Sequence, residues 1–291
     1  AVYIGYFAGF KNTSGIQNVG IGYYALQNFQ TSGFNTAIGY NCMGGGAVGN
    51  TGTQNTMMGR YTGHSITSGN NNSGFGLEAL YACTTGTSNV AVGYYASQLL
   101  TTGNFNVALG QQALRNSTNG FENVAAGYQA GYNVTSGHGN TLIGQDAGGN
   151  ITSGSNNVCL GAGAQTPSNS STNTVVLGNS NINSLRCQVQ TISGLSDKRD
   201  KTNIKDSEYG LDLISSLKPV TFKWNQRDGQ RKGLKDLGFI AQDLQKVDDE
   251  HLSFVSDEDP EKLSASYGRL IPVLVKAIQE LKAEIEILKN K

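Results

Sequence analysis

Chemistry needs nucleophiles, acids, bases or metal ligands brought close together, and for its first 195 residues this chain is poor in all of them. Glu78, Glu122 and Asp146 are the only carboxylates there, against Lys11, Arg60, Arg115 and Arg186. Hydrolysis by paired carboxylates requires two acids a few ångströms apart, and these three are widely spread. Cys42, Cys83, Cys159 and Cys187 lack metal-ligand spacing, and His64, His138 and His251 do not cluster with them. No metal and no other cofactor is therefore expected. Cys42 stands where most repeats carry Ala, and Cys159 falls within a strand-like unit, so both read as small buried apolar residues. One stretch is different. Ser196-Asp197-Lys198-Arg199-Asp200-Lys201 sets a hydroxyl and several amines and carboxylates within six residues. Read alone, Ser196 there is an ordinary turn or helix-cap residue.

What holds these residues is written in a period. The glycine of each N-[TV]-x-[IVLM]-G unit falls at positions 5, 22, 39, 59, 76, 93, 110, 127, 144, 161 and 178. Every gap is 17 residues except 39 to 59, which is 20. A fixed period of this length means stacked, nearly identical units rather than a globular core. Within a unit such as Asn89-Val90-Ala91-Val92-Gly93, bulky aliphatic residues alternate with small ones, the period of a short strand. The small Ala/Gly face predicts close approach to another surface. A second short strand is expected at Tyr23–Ala25, Tyr94–Ala96 and Tyr128–Ala130, and turns with glycine at positive φ at Gly33, Gly69, Gly137 and Gly154. Two strands and two turns make one coil of a β-solenoid or β-roll. The repeating Asn is expected to stack into a ladder whose amides join coil to coil. Tyr6, Tyr23, Tyr40, Tyr94 and Tyr128 follow the unit glycine and can form a stripe, by packing or as a sugar-contacting surface.

Charge shows where the repeats end. The last 96 residues hold 18 of the 21 acids and 17 of the 21 bases, whereas 34 of the 39 glycines precede residue 196. The expected layout is fibre repeats over 1–185, a linker over 186–195, and a small α+β domain over 196–291. Both parts are near neutral, which argues against a nucleic-acid partner. No apolar run is long enough to insert in a membrane. The opening Ala1-Val2-Tyr3-Ile4-Gly5 is a repeat lacking its leading Asn and an initiating Met, as expected of a fragment with more protein upstream.

In the last third, Leu211, Ile214 and Leu217 share a helical face, and Val220, Phe222 and Trp224 alternate as a strand. Pro219 marks the junction between them, and Asp228-Gly229 reads as a turn. Ile271, Leu274, Ile278, Leu281, Ile285 and Leu288 step three, four, three, four, three: a heptad seam with Ile at a and Leu at d. Pro272 suits the first turn of that helix. Such a seam favours two strands in model coiled coils, so the heptads alone leave dimer and trimer open. A helix packed only on its own domain is the other reading.

Together with Gly238-Phe239-Ile240-Ala241-Gln242-Asp243-Leu244, these segments resemble the intramolecular chaperone domain at the end of bacteriophage endosialidases, tailspikes and tail fibres, which recurs in myelin regulatory factor. The repeats resemble those of viral and bacterial fibres, including trimeric adhesin heads. The resemblance implies a homotrimer, a domain that templates the upstream fibre, and a single self-cutting event by a serine endopeptidase. The family motif Ser-Asp-x-Arg-x-Lys matches residues 196–201, which implies Ser196 as nucleophile, Lys201 as its base, and Asp197, Arg199 and Asn203 in support. A serine hydroxyl needs a base within hydrogen-bond reach. A lysine is a base only when neutral, and holding one neutral at pH 7 against a reference pKa of about 10.4 costs roughly 4–5 kcal/mol. Burial and Arg199 would favour the neutral amine; Asp197 and Asp200 would oppose it. Competence is thus expected only once folding buries the site. Attack on the Leu195 carbonyl passes through a five-membered ring, so scission is expected between Leu195 and Ser196, with 196–197 the alternative.

Near-identical coils can pair one unit out of register at little cost, and a carboxy-terminal clamp would set the start. The expected protein is a fragment of a virion tail fibre or tailspike, its chaperone domain lost from the mature particle. It would meet a host-surface glycan or receptor. A bacterial surface adhesin with the same clamp, or the shaft of a polysaccharide depolymerase, are the alternatives.

Overall fold

A computed structural model describes residues 1–46, 49–182, 184–186, 188, 196–225, 232–257 and 263–290. Leu195, Cys187 and the Asp228-Gly229 turn lie outside the described residues. The chain divides into two compact units, Ala1–Asn179 and Ser180–Lys291.

The first unit is a β-solenoid. Its strands are β1 Val2–Ile4, β2 Val19–Ile21, β3 Thr36–Ile38, β4 Thr56–Met58, β5 Ser73–Phe75, β6 Val90–Val92, β7 Val107–Leu109, β8 Val124–Ala126, β9 Thr141–Ile143, β10 Val158–Leu160 and β11 Val175–Leu177. They form one parallel sheet in sequence order. The register is strict: Val90 pairs with Val107, Ala91 with Ala108, Val92 with Leu109. The three extra residues of the 20-residue coil do not disturb it, because Thr36, Ala37 and Ile38 still pair with Thr56, Met57 and Met58.

Each coil holds one strand, not two. The expected second strand at Tyr23–Ala25, Tyr94–Ala96 and Tyr128–Ala130 is a run of turns. Tyr24, Tyr95 and Gln129 sit at φ 59°, 59° and 57°, in the left-handed region that a strand excludes. Leu26, Leu80 and Leu114, two residues further along their coils, are left-handed as well, at φ 53°, 54° and 48°. A non-glycine residue pays about 1–2 kcal/mol for that conformation. The coil is therefore locally unfavourable and is held by its neighbours.

The two glycine columns act differently. Gly110 sits at φ +130°, and a Cβ there would lie 2.5 Å from the carbonyl oxygen of Gly127 in the next coil. Gly33, Gly69, Gly137 and Gly154 do not adopt the positive φ expected of them. They are needed for space: a Cβ on Gly137 would meet the Gly154 oxygen at 2.3 Å.

The face carrying the middle residue of each strand, most often a small one, is the inside. Ala37, Ala91, Ala108, Ala125, Leu142 and Cys159 are the middle residues of their strands and are fully buried. The bulky residues on either side of them point outward. This reverses the expectation that the small face meets another surface. The interior is narrow, and Ala fits beneath the second core column of Ile66, Cys83, Leu100, Val134 and Ile151.

In the second unit, α1 (Leu211–Ser216) is followed by a hairpin of β12 (Val220–Lys223) and β13 (Lys235–Gly238), a short α2 (Ala241–Leu244), a two-residue pair of β14 (Val255–Ser256) and β15 (Ser264–Ala265), and α3 (Leu270–Lys289). Leu244, Leu252, Phe254, Leu270 and Val273 form its core, with Leu213, Ile214 and Leu217 packed against them. Leu213 takes the core place expected of Leu211. Pro219 lies between α1 and β12, and Pro272 is in the first turn of α3, both as expected.

Candidate functional site

Ser196 and Lys201 come together. Lys201 Nζ donates to Ser196 Oγ at 2.6 Å, across a 3₁₀ turn at Lys198–Asp200. Asp197 builds that turn by capping it, its carboxylate accepting from the Arg199 backbone N–H at 2.9 Å. Folding back over one turn is what brings residues 196 and 201 within reach. The Arg199 guanidinium also pairs with Asp197, Nη2 to Oδ2 at 2.6 Å. Those hydrogen bonds hold the Asp197 carboxyl below its ordinary value. Arg199 and Asp197, set against each other as influences on the lysine, thus largely cancel by pairing. Asn203 lies just beyond at φ 54°, a conformation asparagine tolerates. All these residues are exposed in the single chain.

The heptad residues of α3 lie on an exposed face. Ile271, Leu274, Ile278, Leu281, Ile285 and Leu288 are 42–67% exposed. One residue earlier on the helix runs a second stripe: Leu270, Val273 and Ala277 are buried on the unit's own core. Glu280 continues that stripe and accepts from the Leu211 backbone N–H at 2.7 Å, satisfying a donor at the start of α1. The self-packed reading holds for one face of this helix, and the heptad face beside it is exposed in the single chain. Past Glu280 every described residue of α3 is exposed.

In the solenoid the asparagine ladder is continuous from Asn18 to Asn157. Asn89 is typical. Its Nδ2 donates to Asn72 Oδ1 at 3.1 Å and to the Gly103 carbonyl at 2.9 Å. Its Oδ1 accepts from the backbone N–H and the Nδ2 of Asn106, both at 3.0 Å. The full capacity of the amide is used, as a structural role requires. Tyr6, Tyr23 and Tyr40 stack with centroids 5.3 and 5.2 Å apart. Arg60 ends the stack by lying over Tyr40, so Tyr94 and Tyr128 are not part of it. Cys42, Cys83 and Cys159 are fully buried, and burial pushes the first two thiols up to about 12. Among the described residues no group of His, Cys, Asp or Glu could hold a metal. No helix among the described residues is long and apolar enough to cross a membrane.

What sequence reasoning missed is the outward column formed by the last residue of each strand, which is apolar in every coil. The alternation was visible, but a period of two does not say which face is inside.

With this geometry in view, residues 196–253 match the family described as chaperone of endosialidase, and Ser196 is the first residue matched. The carboxy-terminal unit is thus similar, over these residues, to the chaperone domains of that family. Two curated relatives, the long tail fiber protein Gp37 of Enterobacteria phage M1 and that of Enterobacteria phage Ox2, are each 38% identical over 97 residues. The match covers 33% of this chain and 39% of each relative, so the chain spans about two fifths of their length. No solved structure matches.

Proposed function

We propose that this chain is part of a phage tail fibre whose carboxy-terminal domain gathers three copies, aligns their solenoids and then cuts itself away between Leu195 and Ser196. The observation that carries the cut is the 2.6 Å contact between Ser196 Oγ and Lys201 Nζ at the first residue of the family match. Ser196 Oγ attacks the Leu195 carbonyl and its proton passes to Lys201. The C–N bond breaks, Ser196 nitrogen leaves as an amine, and water hydrolyses the ester to free the Leu195 carboxylate.

The contact has its donor on the lysine, the reverse of what a base requires. Covering the pair by a partner copy would favour the neutral amine. Exposure of both residues in the single chain is therefore what supports coupling between cutting and assembly. The free seam of α3 supplies the contact that brings copies together. A helix end of nine residues with no contacts of its own is marginal in water, and a partner would complete it.

The coil conformation supports the need for a template. Left-handed residues recur in each coil, so a lone coil does not nucleate, and identical neighbours do not fix alignment. After release the shaft would remain in the virion, held by a high unfolding barrier, and present a sparsely charged, tyrosine-bearing surface to a host glycan or receptor.

A denaturing gel of the wild-type chain beside Ser196→Ala and Lys201→Ala tests the cut. Fragments of about 195 and 96 residues, as counted from the proposed bond, are expected from wild type and an intact chain from both variants. A full-length wild-type band that persists after assembly would refute it.

A further inference from the structure

We infer that the outward face of the solenoid sheet is the surface along which copies of this chain pack in the shaft, with the third residue of every strand at its centre. This rests on the assembly reading above and names the surface that assembly would use.

The third residues are Ile4, Ile21, Ile38, Met58, Phe75, Val92, Leu109, Ala126, Ile143, Leu160 and Leu177, apolar in all eleven strands. Ile4, Met58, Val92, Leu109, Ile143 and Leu177 are between 39% and 58% exposed. The first residues of the strands, in the neighbouring column, are Val, Thr or Ser throughout, and neither column contains a charge. A sheet face turned to water ordinarily carries polar residues. The position after the unit glycine is mixed by contrast, holding Tyr40, Arg60, Leu77, Tyr94 and Gln111 in successive coils. The uniformly apolar column is thus a feature of the third strand position that the column after the unit glycine does not share.

The dimensions fit a chain-to-chain contact. Ten steps of about 4.8 Å give a stripe about 48 Å long, and residues two apart on a strand add about 7 Å of width. With side-chain breadth this is on the order of 600 Å². That is at the top of what a monomer exposes as one patch and near the roughly 800 Å² per partner of a stable interface. The occupant is a second copy because the stripe is periodic. Its side chains recur once per coil, and another copy running alongside meets it coil for coil. The α3 seam asks for the same occupant, since its apolar residues are left bare while the adjacent stripe is already buried.

Cysteine mapping on the full chain tests this. Cys42, Cys83 and Cys159 are buried and silent, and Cys187→Ser removes the remaining thiol. Leu109→Cys and Val92→Cys then probe the stripe, and Thr102→Cys, an exposed turn residue, is the control. In the assembled fibre the two stripe variants are expected to form disulfide-linked chains under mild oxidation. They should also label with a maleimide at least tenfold more slowly than Thr102→Cys. Stripe thiols that label as fast as the control in an assembled fibre would overturn the inference and leave the assembly reading standing. A chain that stays monomeric with α3 intact would overturn both.

Discussion

The two units of this chain are stabilised in opposite ways. In the solenoid the coils repeat their contacts: a ladder amide bonded to the next coil, a glycine under a carbonyl, an inward strand residue packed in the shared core. In the carboxy-terminal unit no contact recurs. Glu280 meets Leu211 once, and Leu244, Leu252, Phe254, Leu270 and Val273 form one core. Repetition gives strength without address, because any coil fits on any other. Uniqueness gives address in a small unit whose long helix is left half uncovered. A fibre needs both, and here they are encoded in succession.

That contrast can be broken at its strongest point first. Gly110→Ala places a methyl 2.5 Å from the Gly127 oxygen at a φ of +130°. Loss of soluble shaft is expected on expression, whereas Gly268→Ala in the tail, with nothing within 4 Å of the added methyl, should be silent. Next comes the ladder. Asn89→Ala deletes four buried hydrogen bonds and strands several partners, at about 1–3 kcal/mol for each orphaned group. Its unfolding temperature should fall by many degrees, while Lys205→Ala, exposed in the tail, should stay within about 0.5 kcal/mol of wild type.

Acid separates the units more gently. Hydrogen bonds from Leu211 to Glu280 and from Tyr209 to Asp249 hold both carboxyls below their ordinary values. A depressed carboxyl contributes stability that is present above its unfolded pKa and lost as pH falls through the folded one. The uncleaved tail should therefore weaken below about pH 4, as read by circular dichroism of α3. The ladder contains no titratable group, so the shaft signal should persist there. The smallest effect is expected at Ser117, whose buried Oγ has no hydrogen-bond partner. Ser117→Ala should leave the melting curve unchanged or raise stability by about 1 kcal/mol.

Much of this was legible beforehand, for physical reasons that also mark the limits. The period, the Asn ladder and the seam residues are statements about spacing, and spacing is carried by sequence. The second strand was misread because Tyr24 and Tyr95 have strand-like side chains, while the stacking of neighbouring coils forces them to a left-handed backbone. The inside of the sheet was misread because alternation is symmetric between faces. Only the packing of the stacked coils decides that Ala108 goes in and Leu109 stays out. At the site, spacing alone did not pair Ser196 with Lys201; the family motif did. The pairing of Arg199 with Asp197 depends on the cap geometry of a single turn.

The central claim is that the shaft cannot align itself. The most direct measurement compares the full chain with a chain ending at Leu195, expressed alike, by sedimentation of the soluble fraction. Soluble oligomers of uniform mass from the full chain, and aggregates or mixed species from the shortened one, are the predicted result. Uniform, soluble, heat-resistant shafts from the shortened chain at equal yield would contradict it.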